Sequence, residues 1–176
     1  IQDSAERTRM FDKFLEIASR ILEFAKGYSQ SKAFKAFGEL LPILMGIEDA
    51  VLREKALEIT FRIPEFAEGN SSRAFLTFGE LIPKLVKIKD PVLQEEYFEI
   101  ASRIPEFSKG NSWNTFSSFG EIHYKLVGIE DAVFQEKALE ITSRILEFPE
   151  NKISIAFLGF SKLIPKLEEI KDPVLR

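Results

Sequence analysis

LIPKLVKIKDPVLQEEYFEIASRIPEF, Leu81 to Phe107, decides how the chain is built. It reads as the end of one helix, a short turn and a second helix. Asp90 can accept from the free N–H groups of the helix it precedes, and Pro91 suits the first helical position, where a missing donor costs nothing. Beyond the turn, Leu93, Tyr97, Ile100, Ile104 and Phe107 recur at spacings of three and four, the stripe of an amphipathic helix. Before it, Phe75, Phe78, Ile82 and Leu85 make a second such stripe. Two striped helices joined this tightly lie antiparallel and bury their stripes against each other.

The same unit recurs along the chain. Gly38-Glu39, Gly79-Glu80 and Gly120-Glu121 are 41 residues apart, and Ser161 takes the fourth place. Leu57, Phe98 and Leu139 keep the same step, while Leu15 is one residue further off because the first copy has an extra residue near Tyr28-Ser29. A longer echo, Gly46–Val51 against Gly128–Val133, suggests that a pair of copies was duplicated as a unit. The pattern predicts eight helices, at about 4–25, 31–46, 50–67, 72–87, 91–108, 113–128, 132–148 and 154–169. Gly27, Gly69 and Gly110 stand where left-handed caps are wanted. Asn70 or Ser71, and Asn111 or Ser112, are expected to cap the following helices. The fourth copy has no glycine there, so its turn should differ.

Eight of the 17 phenylalanines fall in pairs, Phe34/Phe37, Phe75/Phe78, Phe116/Phe119 and Phe157/Phe160, and four more are Phe24, Phe66, Phe107 and Phe148. One aromatic ladder is expected through all four copies. Each buried ring removes ~150–250 Å² from water, so a single copy cannot satisfy itself and must stack on its neighbours. Pro42, Pro83 and Pro165 fall inside helices, four residues after Gly38, Gly79 and Ser161, and should bend the chain there. Pro64 and Pro105 should do the same in the other helix type.

The run Leu-Ile-Pro-Lys-Leu, a turn aspartate, then Val-Leu-Arg-Glu-Lys-Ala-Leu resembles the HEAT repeat. Leu52-Arg53-Glu54-Lys55-Ala56 matches best; Gln94 and Gln135 replace the arginine, and Tyr97 replaces the alanine once. The resemblance covers essentially the whole chain. It implies an all-α protein, a right-handed α-solenoid of about four two-helix repeats with the 41-residue period. The copies fall at 1–30 (partial), 31–71, 72–112, 113–153 and 154–176 (partial) in a single domain. The start at Ile1 and a fresh helix start at Asp172-Pro173-Val174-Leu175 read as a piece of a longer array.

Composition narrows the function. A 45% apolar fraction supports a core, and a net charge of −4 gives no general attraction to nucleic acid or anionic membrane. There is no cysteine, hence no disulfide or thiolate metal site. The sequence contains no membrane-length apolar run and no signal peptide. No Ser-His-acid or Cys-His set and no phosphate-cradling loop assembles, so neither an enzyme, a cofactor nor a metal is expected. His123, where other copies have Leu41, Ile82 and Ile164, is expected to be a hydrogen-bonded core histidine.

A repeated polar face is the binding candidate. Glu54, Glu58 and Glu65 fall within ~40° on a helical wheel, opposite Leu52, Ala56, Ile59, Ile63 and Phe66. The carboxylates recur as Glu95, Glu99 and Glu106 and as Glu136, Glu140 and Glu147. In HEAT-like arrays the second helices line the concave surface, so the resemblance implies an acidic inner ridge. Glu16–Arg20, Glu58–Arg62, Glu99–Arg103 and Glu140–Arg144 should pair within their helices and partly cancel that field. Phe61, where other copies have serine, is either an anchor in the groove or packing on a neighbouring helix. Trp113 is either a contact residue or a lid over the ladder. The reading is a scaffold binding a protein partner on its concave helices, a Lys/Arg-rich one among the candidates. The alternatives are a nucleic-acid-binding module, whose only repeated basic row would be Lys84, Lys125 and Lys166, or a structural spacer.

Overall fold

The computed structural model describes residues 4–169, and all regular structure among them is helical. The helices are α1 (Ser4–Phe24), α2 (Tyr28–Met45), α3 (Ala50–Phe66), α4 (Ser71–Val86), α5 (Pro91–Phe107), α6 (Ser112–Leu126), α7 (Ala132–Ile145) and α8 (Glu150–Glu168). The helix start expected at Asp172–Leu175 lies outside the described residues. The largest boundary differences are at α2, which begins at Tyr28, α7, which ends at Ile145, and α8, which begins directly after Pro149. The fourth copy's turn therefore does differ.

Local chemistry explains the turns. Asp49 and Asp90 each accept from two backbone N–H groups of the following first turn, at 2.8–3.0 Å and 2.8–3.2 Å, and Asp131 accepts from Phe134 N at 3.0 Å. Gly27, Gly69 and Gly110 hold φ of 58°, 87° and 63°, a region that side-chain-bearing residues avoid. Asn70 and Asn111 stand at N-cap positions but make no capping bond. Asn70 Nδ2 instead donates to Gly110 O at 2.9 Å, and Gly110 N donates to Phe66 O at 2.8 Å, so neighbouring turns are tied to each other. The helices continue through Pro42, Pro64, Pro83, Pro105 and Pro165 without a break.

The helices pack in two series. α2, α4, α6 and α8 touch in that order, as do α1, α3, α5 and α7, and across the two series α1 packs on α2, α3 on α4, α5 on α6 and α7 on α8. The ladder fills the space between. Ring centroids are 5.7 Å apart for Phe37–Phe75, 5.1 Å for Phe78–Phe116 and 6.0 Å for Phe119–Phe157, in tilted arrangements. The remaining row behaves differently from expectation. Phe24 and Phe148 are exposed, and Phe66 and Phe107 are half-buried. Arg20, Arg62 and Arg103 lie over the rings of Phe24, Phe66 and Phe107 at 5.1, 5.8 and 5.0 Å. These rings lie near the helix ends as cation–π partners, Phe107 still packing against the edge of the core.

Arg53, Gln94 and Gln135 share one role despite their different chemistry. Arg53 Nη1 donates to Ile47 O at 2.6 Å. Gln94 Nε2 lies 3.1–3.2 Å from the carbonyls of Leu85, Val86 and Ile88, and Gln135 Nε2 donates to Leu126 O and Ile129 O at 2.8 and 2.7 Å. Each clamps the carbonyls that the end of the preceding helix leaves without an intrahelical donor. Replacing Gln94 with leucine should lower stability by ~1–3 kcal/mol, because it strands partly buried acceptors. Urea denaturation checks this; an unchanged midpoint would deny the clamp any role.

Candidate functional site

The carboxylate face of α1, α3, α5 and α7 is laced together across helices. The pairs expected within helices give way to longer-range ones. Arg20 donates to Phe61 O at 3.0 Å and pairs with Glu65. Arg62 donates to Ser102 O at 2.8 Å and pairs with Glu106, and Arg103 donates to Ser143 Oγ at 2.7 Å. A guanidinium set between two parallel-running helices reaches the next helix more readily than it folds back on its own. Lysines form a second rung: Lys13 lies 3.5 Å from Glu54, and Lys55 pairs with Glu95. Burial raises the Glu54 pKa, but Arg9 and Lys13 outweigh it and leave the carboxyl below the usual carboxylate range. Glu54, Glu65, Glu95 and Glu106 are thus occupied inside the molecule.

One groove escapes this neutralisation. The residue that continues the Lys13 and Lys55 row is Glu96, and Lys137 resumes it. Between α5 and α7, where a lysine would have met Glu136, two carboxylates meet instead. The groove has a volume of about 370 Å³ and is lined by Glu96, Glu99, Glu136, Glu140 and Ser143 over the apolar Ile100 and Leu139. None of the four carboxylates forms an ion pair among the described residues. Burial, then the charges of Glu136, Glu99 and Asp90, push the Glu96 carboxyl above its ordinary range. Glu99, Glu136 and Glu140 were expected on the binding face; Glu96 was missed. Its signal is legible in hindsight as the one acid in a lysine row.

The other expected site residues lie elsewhere. Glu58 and Phe61 line the groove between α1 and α3, together with Lys13 and Arg62. Phe61 is half-buried, with the Arg20 guanidinium 4.2 Å from its ring centroid, so it packs on the neighbouring helix's arginine. Trp113 is half-buried at the start of α6, in the other series, under Arg73 at 4.9 Å. Glu147 is exposed just past the end of α7.

His123 departs from expectation. It is buried, its Nδ1 has no hydrogen-bond partner, and its ring meets Tyr97 edge-on at 5.0 Å. Burial, with the Lys84 charge adding to it, lowers its pKa to about 4, so the imidazole is neutral at physiological pH. No group of three or more His, Asp or Glu is placed to hold a metal ion among the described residues, and no described helix is long and apolar enough to cross a membrane.

No protein-family model, curated protein or solved structure matches the chain.

Proposed function

We propose that this chain is a right-handed α-solenoid of HEAT-like repeats, about four with a 41-residue period. On this reading it is a non-enzymatic scaffold that holds a Lys/Arg-bearing segment of a partner protein on the face formed by α1, α3, α5 and α7. Serial packing of every helix on the helix two along supports the array reading. The observation that carries the binding reading is the α5–α7 groove, where four carboxylates share about 370 Å³ and none forms an ion pair among the described residues, Arg103 at its edge being bonded to Ser143 Oγ. Three of them, Glu99, Glu136 and Glu140, come from the repeated acidic face; Glu96 adds the charge where the other copies place a lysine. A lysine or arginine entering the groove would supply the missing counter-charge, and its aliphatic stem would cover Ile100 and Leu139. The same charges repel phosphate, which disfavours the nucleic-acid alternative.

The test is fluorescence anisotropy with a labelled oligoarginine peptide at several salt concentrations. Wild-type protein should bind, with affinity falling as salt rises. Glu96→Lys restores the ion pair with Glu136 and should weaken binding tenfold or more, about 1.4 kcal/mol. Glu136 is exposed and Glu96 half-buried, so the new pair should change stability by no more than about 1 kcal/mol. Equal affinity of the two proteins would sink the groove reading.

A further inference from the structure

A second cavity has no part in the carboxylate groove. It lies where the α4–α5 turn meets the end of α6 and the start of α7, and its volume of about 380 Å³ suits a small organic ligand. Two residues in its wall break the repeat on the apolar side. Tyr97 stands where the equivalent positions hold Ala56 and Ala138, and His123 where they hold Leu41, Ile82 and Ile164. The two departures touch each other: the rings meet edge-on, with an interplanar angle of 88°. The other copies place apolar residues here, whereas the imidazole costs stability through its unpartnered Nδ1. Stability given up in this way is characteristic of a residue kept for binding.

The remaining polar groups of the wall divide into those engaged within the protein and those free to meet a ligand. Asp90 accepts from Val92 N and Leu93 N, and Gln135 donates to the carbonyls of Leu126 and Ile129. Lys87 and Lys89, by contrast, are exposed and form no ion pair among the described residues. Together with Lys84, whose charge is felt at His123, they favour an anion at the mouth. Deeper in, a charge is unwelcome. Tyr97 and His123 are both buried; the imidazole is neutral, and burial, then the Glu96 charge, keeps the tyrosine hydroxyl protonated. An ionised group would lose too much hydration there, but a neutral hydroxyl both donates and accepts, as an imidazole and a phenol require. Ile88, Leu93 and Val127 complete the wall with apolar surface.

We propose that this cavity binds a small phenolic carboxylate, its hydroxyl against His123 and Tyr97 and its carboxylate at Lys87 and Lys89. The aromatic body lies against the apolar wall, so each part of the ligand meets the chemistry that matches it. The proposal does not use the acidic groove and stands apart from the scaffold reading.

The chain has one histidine, so its imidazole NMR signals report on this cavity directly. Titration of the full chain with para-hydroxybenzoate at neutral pH should move them saturably, with a Kd below about 1 mM. Benzoate, which lacks the hydroxyl, and para-cresol, which lacks the carboxylate, should each bind about tenfold more weakly. Lys87→Gln combined with Lys89→Gln should bring para-hydroxybenzoate down to the affinity of para-cresol and leave para-cresol itself unchanged. Both lysines are exposed, and an amide spectrum like that of wild type confirms the fold of the double variant. In His123→Leu, followed through the tyrosine ring signals, the preference for para-hydroxybenzoate over benzoate should disappear. Absence of a saturable shift up to about 10 mM overturns the proposal. So does equal affinity for the three probes, or an unchanged affinity for para-hydroxybenzoate in the double lysine variant.

Discussion

Phe119→Ala is expected to lower the free energy of unfolding by ~3–5 kcal/mol, the usual range for removing a buried ring. Phe119 is fully buried, and its ring lies 5.7 Å from Tyr97 in α5 and 6.0 Å from Phe157 in α8. Truncation therefore loosens contacts to both helix series at once. A small domain is stable by ~5–15 kcal/mol in all, so the variant should be close to unfolding at body temperature. Phe148→Ala is the control: the ring is 51% exposed and its loss should stay within about 0.5 kcal/mol. Urea denaturation of the pair measures both. A Phe119→Ala loss as small as that of Phe148→Ala would refute the ladder as the source of stability.

His123→Leu should do the opposite and stabilise. An unpartnered buried polar atom costs ~1–3 kcal/mol, against ~0.5–1.5 kcal/mol for the lost edge-on contact with Tyr97. A net gain of ~1 kcal/mol at neutral pH is expected, since three other copies place Leu41, Ile82 and Ile164 here. The pH dependence is the sharper signature. The native imidazole titrates near 4, well below the ~6.5 of an unfolded histidine. Above 6.5 both states are neutral and His123 contributes no slope. As pH falls from 6.5 towards 4 the unfolded chain takes up a proton that the native state refuses, and stability drains away. Glu96, with its raised pKa, works in the reverse direction over acid pH, but it is present in both proteins and cancels in their difference. The gap between His123→Leu and wild type should thus widen as pH falls from 6.5 towards 4. A gap independent of pH would mean that His123 is not held neutral.

The helical make-up was legible because its signals are local and repeated. Phe75 and Phe78 recur with their neighbours at helical spacing, and Asp49, Asp90 and Asp131 announce each new helix by bonding N–H groups two or three residues on. The site was less legible because it depends on what crosses between helices. Arg20 and Arg62 have acceptors available within their own helices, and only the packing register shows that they reach Glu65 and Glu106 instead. That register also explains why half of the expected acidic ridge is neutralised. Glu96 leaves the apolar pattern untouched, so hydrophobic periodicity passes over it. Its meaning appears only when α7 brings Glu136 alongside. Phe24 and Phe148 were misassigned to the core for a related reason: spacing places them on the apolar stripe, but they lie at helix ends where the neighbouring helix no longer covers them.

The central claim is that the α5–α7 groove receives a basic segment. The most direct measurement is amide chemical-shift mapping of the isotopically labelled protein during titration with an oligoarginine peptide. Shifts confined to the groove-facing turns of α5 and α7, around Glu96–Ile100 and Glu136–Ser143, and absent in Glu96→Lys, are the expected result. Shifts spread evenly over every acidic surface, or centred on the α2, α4, α6 and α8 series, would contradict it.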